Sequence, residues 1–298
     1  MIYMSAYFDN KELYVGPNVN QYGSHMIMTD VQRDIKTKYI NVDTKFRDEY
    51  SDNFNVNYNI TLSEKYNNVR SISVANLELP MTFYLISESF ENNTFKITDN
   101  GSSNEAVVTL EDGNYDAVSL KSAINAKIGA LGAPFSNLTF DIIDNKAHFT
   151  NGSGANTFTL NFDVDKNGDF AKYGMKSRLG WLIGYRAQSV VIHENATLRA
   201  TALVNLNLPR YLFLCVNEMN SIGNQNRNKL ARISMDQVNY PFGTVMPASH
   251  DNYMTSDVRK YSKLNDLQKF NVQLVNDSDK VVNLNGQDIS FYLKIEYE

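Results

Sequence analysis

Hydrophobic and polar residues alternate most regularly in the stretch from residue 38 to 87. Between residues 54 and 62 every second residue is apolar, and the residues between them are polar. A period of two predicts a β-strand with one buried face. A second run ends at Pro80, which cannot donate a hydrogen bond to a neighbouring strand. The pattern predicts strands at residues 39–43, 54–62 and 69–79, with a charged turn at 44–53 and a polar turn at 63–68.

One segment of the chain has the period of a helix instead. Apolar residues recur at a spacing of three to four, at Ala117, Leu120, Ile124, Ile128 and Leu131. Asp116 suits the N-cap of this helix, and Gly129 or Gly132 suits its end. Residues 177–186 predict a second, short helical segment. Further strands are predicted at 94–98, 105–110, 138–143, 147–150, 157–162, 190–193, 198–208, 211–217, 231–235, 270–275 and 291–297, with loops at 220–229 and 241–262.

Many short strands, turn signals about every ten residues and a single long helix predict an all-β fold, either a β-sandwich or a barrel. We expect residues 38–94 and 190–298 to form the sandwich, and the helix-containing residues 95–189 to be an inserted α+β subdomain. Residues 1–37 show no clear period. They are either an arm that orders against a neighbouring subunit or a simple tail.

The composition of the chain limits the functions that the protein can have. The chain has 298 residues and a formal net charge of −5, which gives no electrostatic support for nucleic-acid binding. It contains no apolar run long enough for a membrane span and no secretory signal pattern, so we expect neither. The lone cysteine, Cys215, excludes an internal disulfide framework and favours folding in a reducing compartment.

Residues with catalytic or metal-binding chemistry are scattered along the chain. The four histidines (His25, His148, His193 and His250) show no zinc-ligand spacing, and the common phosphate-binding and nucleophile motifs do not occur. Residues 163–170 match the first eight positions of a calcium loop, but the twelfth position is Gly174 instead of Glu. A plain polar turn explains this segment better. We therefore expect no enzyme activity, no cofactor, and no catalytic, cofactor-binding or metal-binding residues.

Several short motifs occur in a defined order from residue 38 to the end of the chain. The first group comprises Asn41, Asp43, Thr44, Arg47, Asp48, Asn68, Val69, Ser71, Glu78, Leu79, Pro80, Tyr84, Ile86 and Ser87. Later motifs are Gly-Asn-Tyr at 113–115, Leu-Gly-Trp at 179–181, Pro-Arg-Tyr-Leu at 209–212, Leu-Ala-Arg-Ile at 230–233 and Leu-Asn-Gly-Gln-Asp-Ile-Ser-Phe at 284–291. Together they resemble a family of virion structural proteins of large double-stranded DNA viruses, of the mimivirus and phycodnavirus type.

This resemblance implies a jelly-roll fold and a minor capsid role, most simply that of the vertex (penton) protein of an icosahedral giant virus. It implies self-assembly, as a homopentamer, and contacts with the major capsid protein and other minor capsid proteins. The protein would be made in the host cytoplasm and located in the virion. Residues 216–219 and 259–264 depart from the family pattern, so a sub-capsid or internal position stays open. The alternative is a β-sandwich that binds a host receptor or glycan through residues 95–189.

Overall fold

The strands form one large antiparallel sheet and two small ones in the computed structural model, which describes residues 34–49, 56–152, 156–170, 174–207, 209–218 and 229–298. The strands are β1 (Lys36–Asp43), β2 (Asn57–Pro80), β3 (Thr94–Asp99), β4 (Glu105–Thr109), β5 (Leu138–Ile143), β6 (Lys146–Asn151), β7 (Phe158–Asn161), β8 (Ser189–Ile192), β9 (Thr197–Arg199), β10 (Tyr211–Glu218), β11 (Lys229–Ser234), β12 (Val245–Ser249), β13 (Met254–Ser256), β14 (Arg259–Val275) and β15 (Ser290–Tyr297). The helices are α1 (Ala117–Ala130) and α2 (Leu179–Leu182).

The large sheet is organised around β2, which is 24 residues long. Its strand order is β1-β15-β2-β14-β10-β11-β13, and β12 pairs with the end of β2. The backbone N–H of Val74 in β2 donates to Ser256 Oγ in β13 at 2.8 Å, so the last strand returns to the central one. The sheet therefore curls on itself around the core. The predicted fold class, a mainly β structure of jelly-roll type with one long helix, is confirmed by the strand content and the curled sheet.

The predicted polar turn at residues 63–68 is wrong, because these residues lie within β2. The buried positions are Tyr58, Ile60, Leu62 and Tyr66 before Asn68, and they continue at Val69 after it. Asn68 has a φ of 56°, and its neighbourhood carries shifts in register towards both β14 and β15. A bulge thus changes the phase of the alternation without ending the strand. From the sequence alone, this change of phase is indistinguishable from a turn.

The inserted part contains the two small sheets, with orders β4-β3-β7-β8 and β5-β6-β9. Asp116 caps α1, as predicted, through a reciprocal capping box with Ser119, and Gly132 follows the helix with a φ of 73°. The buried face of α1 carries Leu120, Ile124 and Ile128. Six aromatic residues fill the core beneath the sheets: Phe95, Phe140, Phe149, Phe158, Phe162 and Tyr185.

The remaining errors of the sequence prediction lie in the last third of the chain. The predicted loop at 241–262 contains β12, β13 and the first residues of β14. Of the described residues of the predicted strand at 198–208, only the first two are extended, as part of β9 (Thr197–Arg199). Most of the predicted loop at 220–229 and of the arm at 1–37 lies outside the described residues. Because β8 and β9 pair with β7 and β6, we propose that the insertion extends to about residue 199 instead of 189.

Candidate assembly interface

The first motif of the resemblance joins the beginning of the sheet to its end. Asp43 caps a short 3-10 helix, Thr44–Phe46, by accepting from the backbone N–H of Lys45 at 2.9 Å. Thr44 is fully buried and pairs with Ile289 through both its backbone N–H and its hydroxyl, each at 3.0 Å. The same hydroxyl donates to Asp288 Oδ1 at 3.0 Å. The turn after β1 is thus fixed to the residues that lead into β15.

Arg47 reinforces this junction. Its side chain is 4% exposed, and its Nη1 donates to Asp288 Oδ1 at 2.7 Å and to the carbonyl of Thr44 at 3.0 Å. The guanidinium also lies over the ring of Tyr58 in β2, 4.4 Å from the centroid. A guanidinium offers several donors in one plane as well as a face for stacking, which suits such a three-way contact. Arg47 therefore connects β2, the turn after β1 and the turn before β15.

Asp48 attaches the same turn to β2 a second time and also to β14. Its carboxylate accepts from the backbone N–H and the hydroxyl of Thr61, both at 2.7 Å, and pairs with Lys269 of β14 at 3.2 Å. Burial alone would raise the pKa of Asp48, but the hydrogen bonds from Thr61 and Lys269 outweigh it and hold this pKa below its usual value. The carboxylate is therefore charged at neutral pH and serves as a structural acceptor.

The other motifs of the resemblance also have architectural positions. Ser290 donates to Glu78 at 2.7 Å across the β15–β2 pair. Ile86 and Gly113 exchange two backbone hydrogen bonds. Gly180 lies so close to Phe162 that a Cβ would be 2.4 Å from the ring. The structure thus brings the motif residues together as strand junctions and close packing contacts.

A charged cluster links the large sheet to the inserted part. Arg178, with a side chain 5% exposed, donates to the carbonyl of Glu91 at 2.6 Å and lies 3.2 Å from its carboxylate. Lys280, between β14 and β15, pairs with the same carboxylate at 2.7 Å. Burial would raise the pKa of Glu91, but Lys280 and Arg178 together hold it below its usual value. The ion pairs of this cluster therefore connect the large sheet to the inserted part.

The segment that matches part of a calcium loop borders this cluster. Asp165 Oδ1 accepts from the backbone N–H groups of Asn167 and Asp169 at 2.8 and 3.0 Å, as in a tight turn. Asp163 is fully buried, accepts from Gln188 at 3.0 Å and lies 4.0 Å from Arg178 Nε. A cleft of about 340 Å³ opens beside Asp165 and Glu91. Both aspartates are thus engaged by protein donors.

Within the described ranges, no three His, Cys, Asp or Glu side chains are grouped so that they could hold a metal ion. His148 is partly buried in β6, whereas His193 and His250 are exposed, and His25 lies outside the described residues. In the same part of the chain, neither helix has the length and apolar character needed to cross a membrane. None of the three histidines in the described ranges belongs to a group that could hold a metal ion.

Three apolar side chains are exposed in the segment 236–245, which is called the apolar loop below. Val238 is 91% exposed, Val245 56% and Phe242 49%. Asp236 fixes the loop by accepting from the backbone N–H groups of Val238 and Asn239 at 3.1 Å, from the Asn239 side chain at 2.6 Å and from the Tyr253 hydroxyl at 2.8 Å. The hydrogen bonds from Asn239, followed by those from Tyr253 and Val238, lower the pKa of Asp236 to about 2.

The base of the apolar loop is also anchored. Met81 exchanges backbone hydrogen bonds with Gly243 and Thr244 at 2.9 and 2.8 Å. The ring of Phe242 stacks on Tyr84, with centroids 5.5 Å apart. The sequence did not indicate this surface because residues 241–262 are predicted as a loop with few apolar residues. The signal that could have found it is the density of Val, Tyr and Phe around a Pro-Phe-Gly turn.

No protein-family model and no curated protein sequence matches the chain. The solved structures that are similar to it include two that each match over 88% of its length. The mavirus penton protein is 12% identical, is covered over 100% of its own chain and superposes with a TM-score of 0.36. A chain of the Sputnik virophage structure is 10% identical, is covered over 98% and gives a TM-score of 0.33. Both come from viruses. Because the TM-scores are low, we argue function from the residues of this chain.

Proposed function

We propose that the protein is a structural component of a virion, a minor capsid protein of the penton type that assembles with copies of itself and contacts the major capsid protein. In this role it forms a homopentamer at the vertex. The motifs of the resemblance support the proposal because their residues, from Thr44 to Asp288, hold the sheet framework together instead of lining a reaction site.

The observation that carries the proposal is the apolar loop. Exposed apolar surface costs about 25 cal/mol per Å² relative to burial, so Val238, Phe242 and Val245 are unfavourable in a monomer in water. Asp236 and Met81 nevertheless hold the loop in one conformation. A surface fixed before contact loses little conformational entropy when a partner covers it. Such a loop is suited to bury against a neighbouring subunit.

A closed ring explains how a single kind of interface can join five copies. In a cyclic oligomer above the dimer, each subunit contributes two different faces, one to each neighbour. The apolar loop supplies one of these faces, and the opposite side of the sandwich supplies the other. The contact with the major capsid protein then uses the surface that faces outward from the ring.

Native mass spectrometry of the purified full-length protein tests this proposal. We expect a pentamer, and we expect the double change Val238→Ser and Phe242→Ser to shift the population to monomers with unchanged circular dichroism. Val118→Ser is the matched control, because Val118 is 72% exposed but lies on α1. A wild-type monomer at high concentration, together with absence of the protein from purified virions, would contradict the proposal. Binding of a glycan by such a monomer would favour the alternative role.

A further inference from the structure

The first strand of the large sheet has an open edge. In the described part of the chain, β1 pairs with β15 alone and is the outermost strand. The backbone N–H of Thr44 donates to Ile289 on the β15 side, and hydrogen bonding alternates from residue to residue in an antiparallel pair. The N–H and C=O groups of the even-numbered residues of β1 therefore face β15. Those of Thr37, Tyr39, Asn41 and Asp43 face outward.

This edge lacks some of the features that usually protect an outer strand. It is eight residues long and straight in register, without a bulge or a proline. On one face of the strand, the side chains of Thr37, Tyr39 and Asn41 are uncharged and exposed, whereas Lys36, Lys38 and Asp43 carry charges. At the other end of the sheet, β13 has three residues and lies against β2. A long edge in regular register is a template for another strand.

The sequence next to this edge indicates which strand could pair with it. Residues 1–33 are separated from β1 by two residues, and residues 24–35 contain no Gly. The favoured two-residue hairpin turns contain Gly, so this segment does not favour folding of the arm back onto its own β1. Thirty-three extended residues can span about 100 Å, enough to reach an adjacent subunit. Residues 1–8 read Met-Ile-Tyr-Met-Ser-Ala-Tyr-Phe, a β-type run as long as β1 itself.

We propose that the open edge of β1 accepts a strand from the N-terminal arm, residues 1–33, of a neighbouring copy of the chain. The added strand hydrogen-bonds to the outward N–H and C=O groups from Thr37 to Asp43. It joins the large sheets of adjacent subunits through backbone contacts. The inference rests on the proposed self-assembly and specifies where the arm binds.

The test compares Asn41→Pro with Asn41→Thr in the full-length protein. The N–H of Asn41 faces outward, so proline removes no bond to β15, whereas threonine keeps the N–H and a strand-forming side chain. We expect Asn41→Pro to raise the concentration at which the oligomer dissociates by about tenfold or more, since several backbone hydrogen bonds are lost together. Asn41→Thr should dissociate like the wild type. Equal behaviour of the two variants in sedimentation experiments would overturn the proposal.

Hydrogen exchange provides a second measurement that does not depend on proline being tolerated. In the wild-type oligomer, the amides of Tyr39 and Asn41 should exchange slowly, and removal of residues 1–33 should make them exchange fast while those of Ile40 and Val42 stay protected. Protection that survives the truncation would overturn the proposal and leave the pentamer intact as a separate result. A wild-type protein that is monomeric would instead contradict the proposed function itself, and the inference with it.

Discussion

The substitution Arg47→Met removes the residue that joins three parts of the large sheet. The hydrogen bond to the Asp288 carboxylate contributes about 1.5–3 kcal/mol, and the bond to the Thr44 carbonyl about 0.5–1.5 kcal/mol. Stacking over Tyr58 adds about 0.5–1 kcal/mol. Breaking a fully buried ion pair costs about 3–5 kcal/mol, but Asp288 is 29% exposed and is partly solvated after the change. We therefore expect a loss of about 3 kcal/mol in the free energy of unfolding.

The matched control is Lys65→Met, which also removes one positive charge from an ion pair. Lys65 and its partner Asp266 are 50% and 45% exposed, so the expected change lies within about 0.5 kcal/mol. The assay is urea unfolding followed by far-ultraviolet circular dichroism, at one fixed protein concentration because oligomerisation changes the apparent stability.

The partner substitution, Asp288→Asn, separates the ion pair from the other contacts of Arg47. We expect it to cost about 2 kcal/mol alone and little in the Arg47→Met background, so the double-mutant cycle should give a coupling of about 1–2 kcal/mol. Arg47→Met and Lys65→Met shifting stability by the same amount, or a coupling near zero, would refute the reasoning. In that case the resemblance motif would not act through this junction.

Three further predictions follow from single contacts. Gly180→Ala places a Cβ 2.4 Å from Phe162 and should lower stability by about 2 kcal/mol, whereas Gly129→Ala in the open part of α1 should raise it by about 0.5–1 kcal/mol; thermal unfolding in the opposite order would contradict this. Because the pKa of Asp48 is lower in the folded state, its contribution is complete above its usual pKa of 3.8 and disappears as pH falls through the folded value. The stability gap between wild type and Asp48→Asn should thus be present at pH 7 and shrink towards pH 2, and a gap independent of pH would show that the carboxylate charge is not involved. Asp236→Ala should accelerate amide exchange across residues 237–244 without changing the strand content, and unchanged exchange would mean that Asp236 does not fix the apolar loop.

The local alternation of apolar and polar residues predicted the strands that have one buried and one exposed face. β1, β3, β5 and β15 were placed to within three residues because their alternation follows from a buried and an exposed face. α1 was equally clear, since its buried residues and its capping residue Asp116 all belong to one short segment. These elements are specified by contacts that the local sequence reflects, and no knowledge of the rest of the chain is needed to recognise them.

The first residues of β14 and the strand β12 could not be found in this way. β12 pairs with the last residues of β2, at which Pro247 and Glu78 are opposite each other. β14 carries three register shifts against β2, so its buried positions follow no constant period. Their extended conformation depends on pairing with a distant strand, and this pairing leaves little trace in the local order of apolar residues.

The candidate assembly surfaces were predictable to different degrees. The junction of Arg47 with Asp288 spans 241 positions of sequence, so only the resemblance indicated that both residues matter. The apolar loop was missed because its apolar residues point outward and do not follow a strand or helix period. Exposed apolar residues of this kind do not contribute to the core, so the periodicity that predicts strands and helices does not reveal them.

The bulge at Asn68 explains how one strand can serve both halves of the large sheet. β15 pairs with β2 from Glu78 to Val69, and the backbone N–H of Glu298 donates to the Asn68 carbonyl at the end of this pairing. Beyond Asn68, β2 continues with β14 as its neighbour down to Asn57. A bulge increases the local twist and bends the strand, so it lies where the curled sheet needs a change of direction. The polar residues that resemble a turn in the sequence therefore lie at a bulge inside a continuous strand.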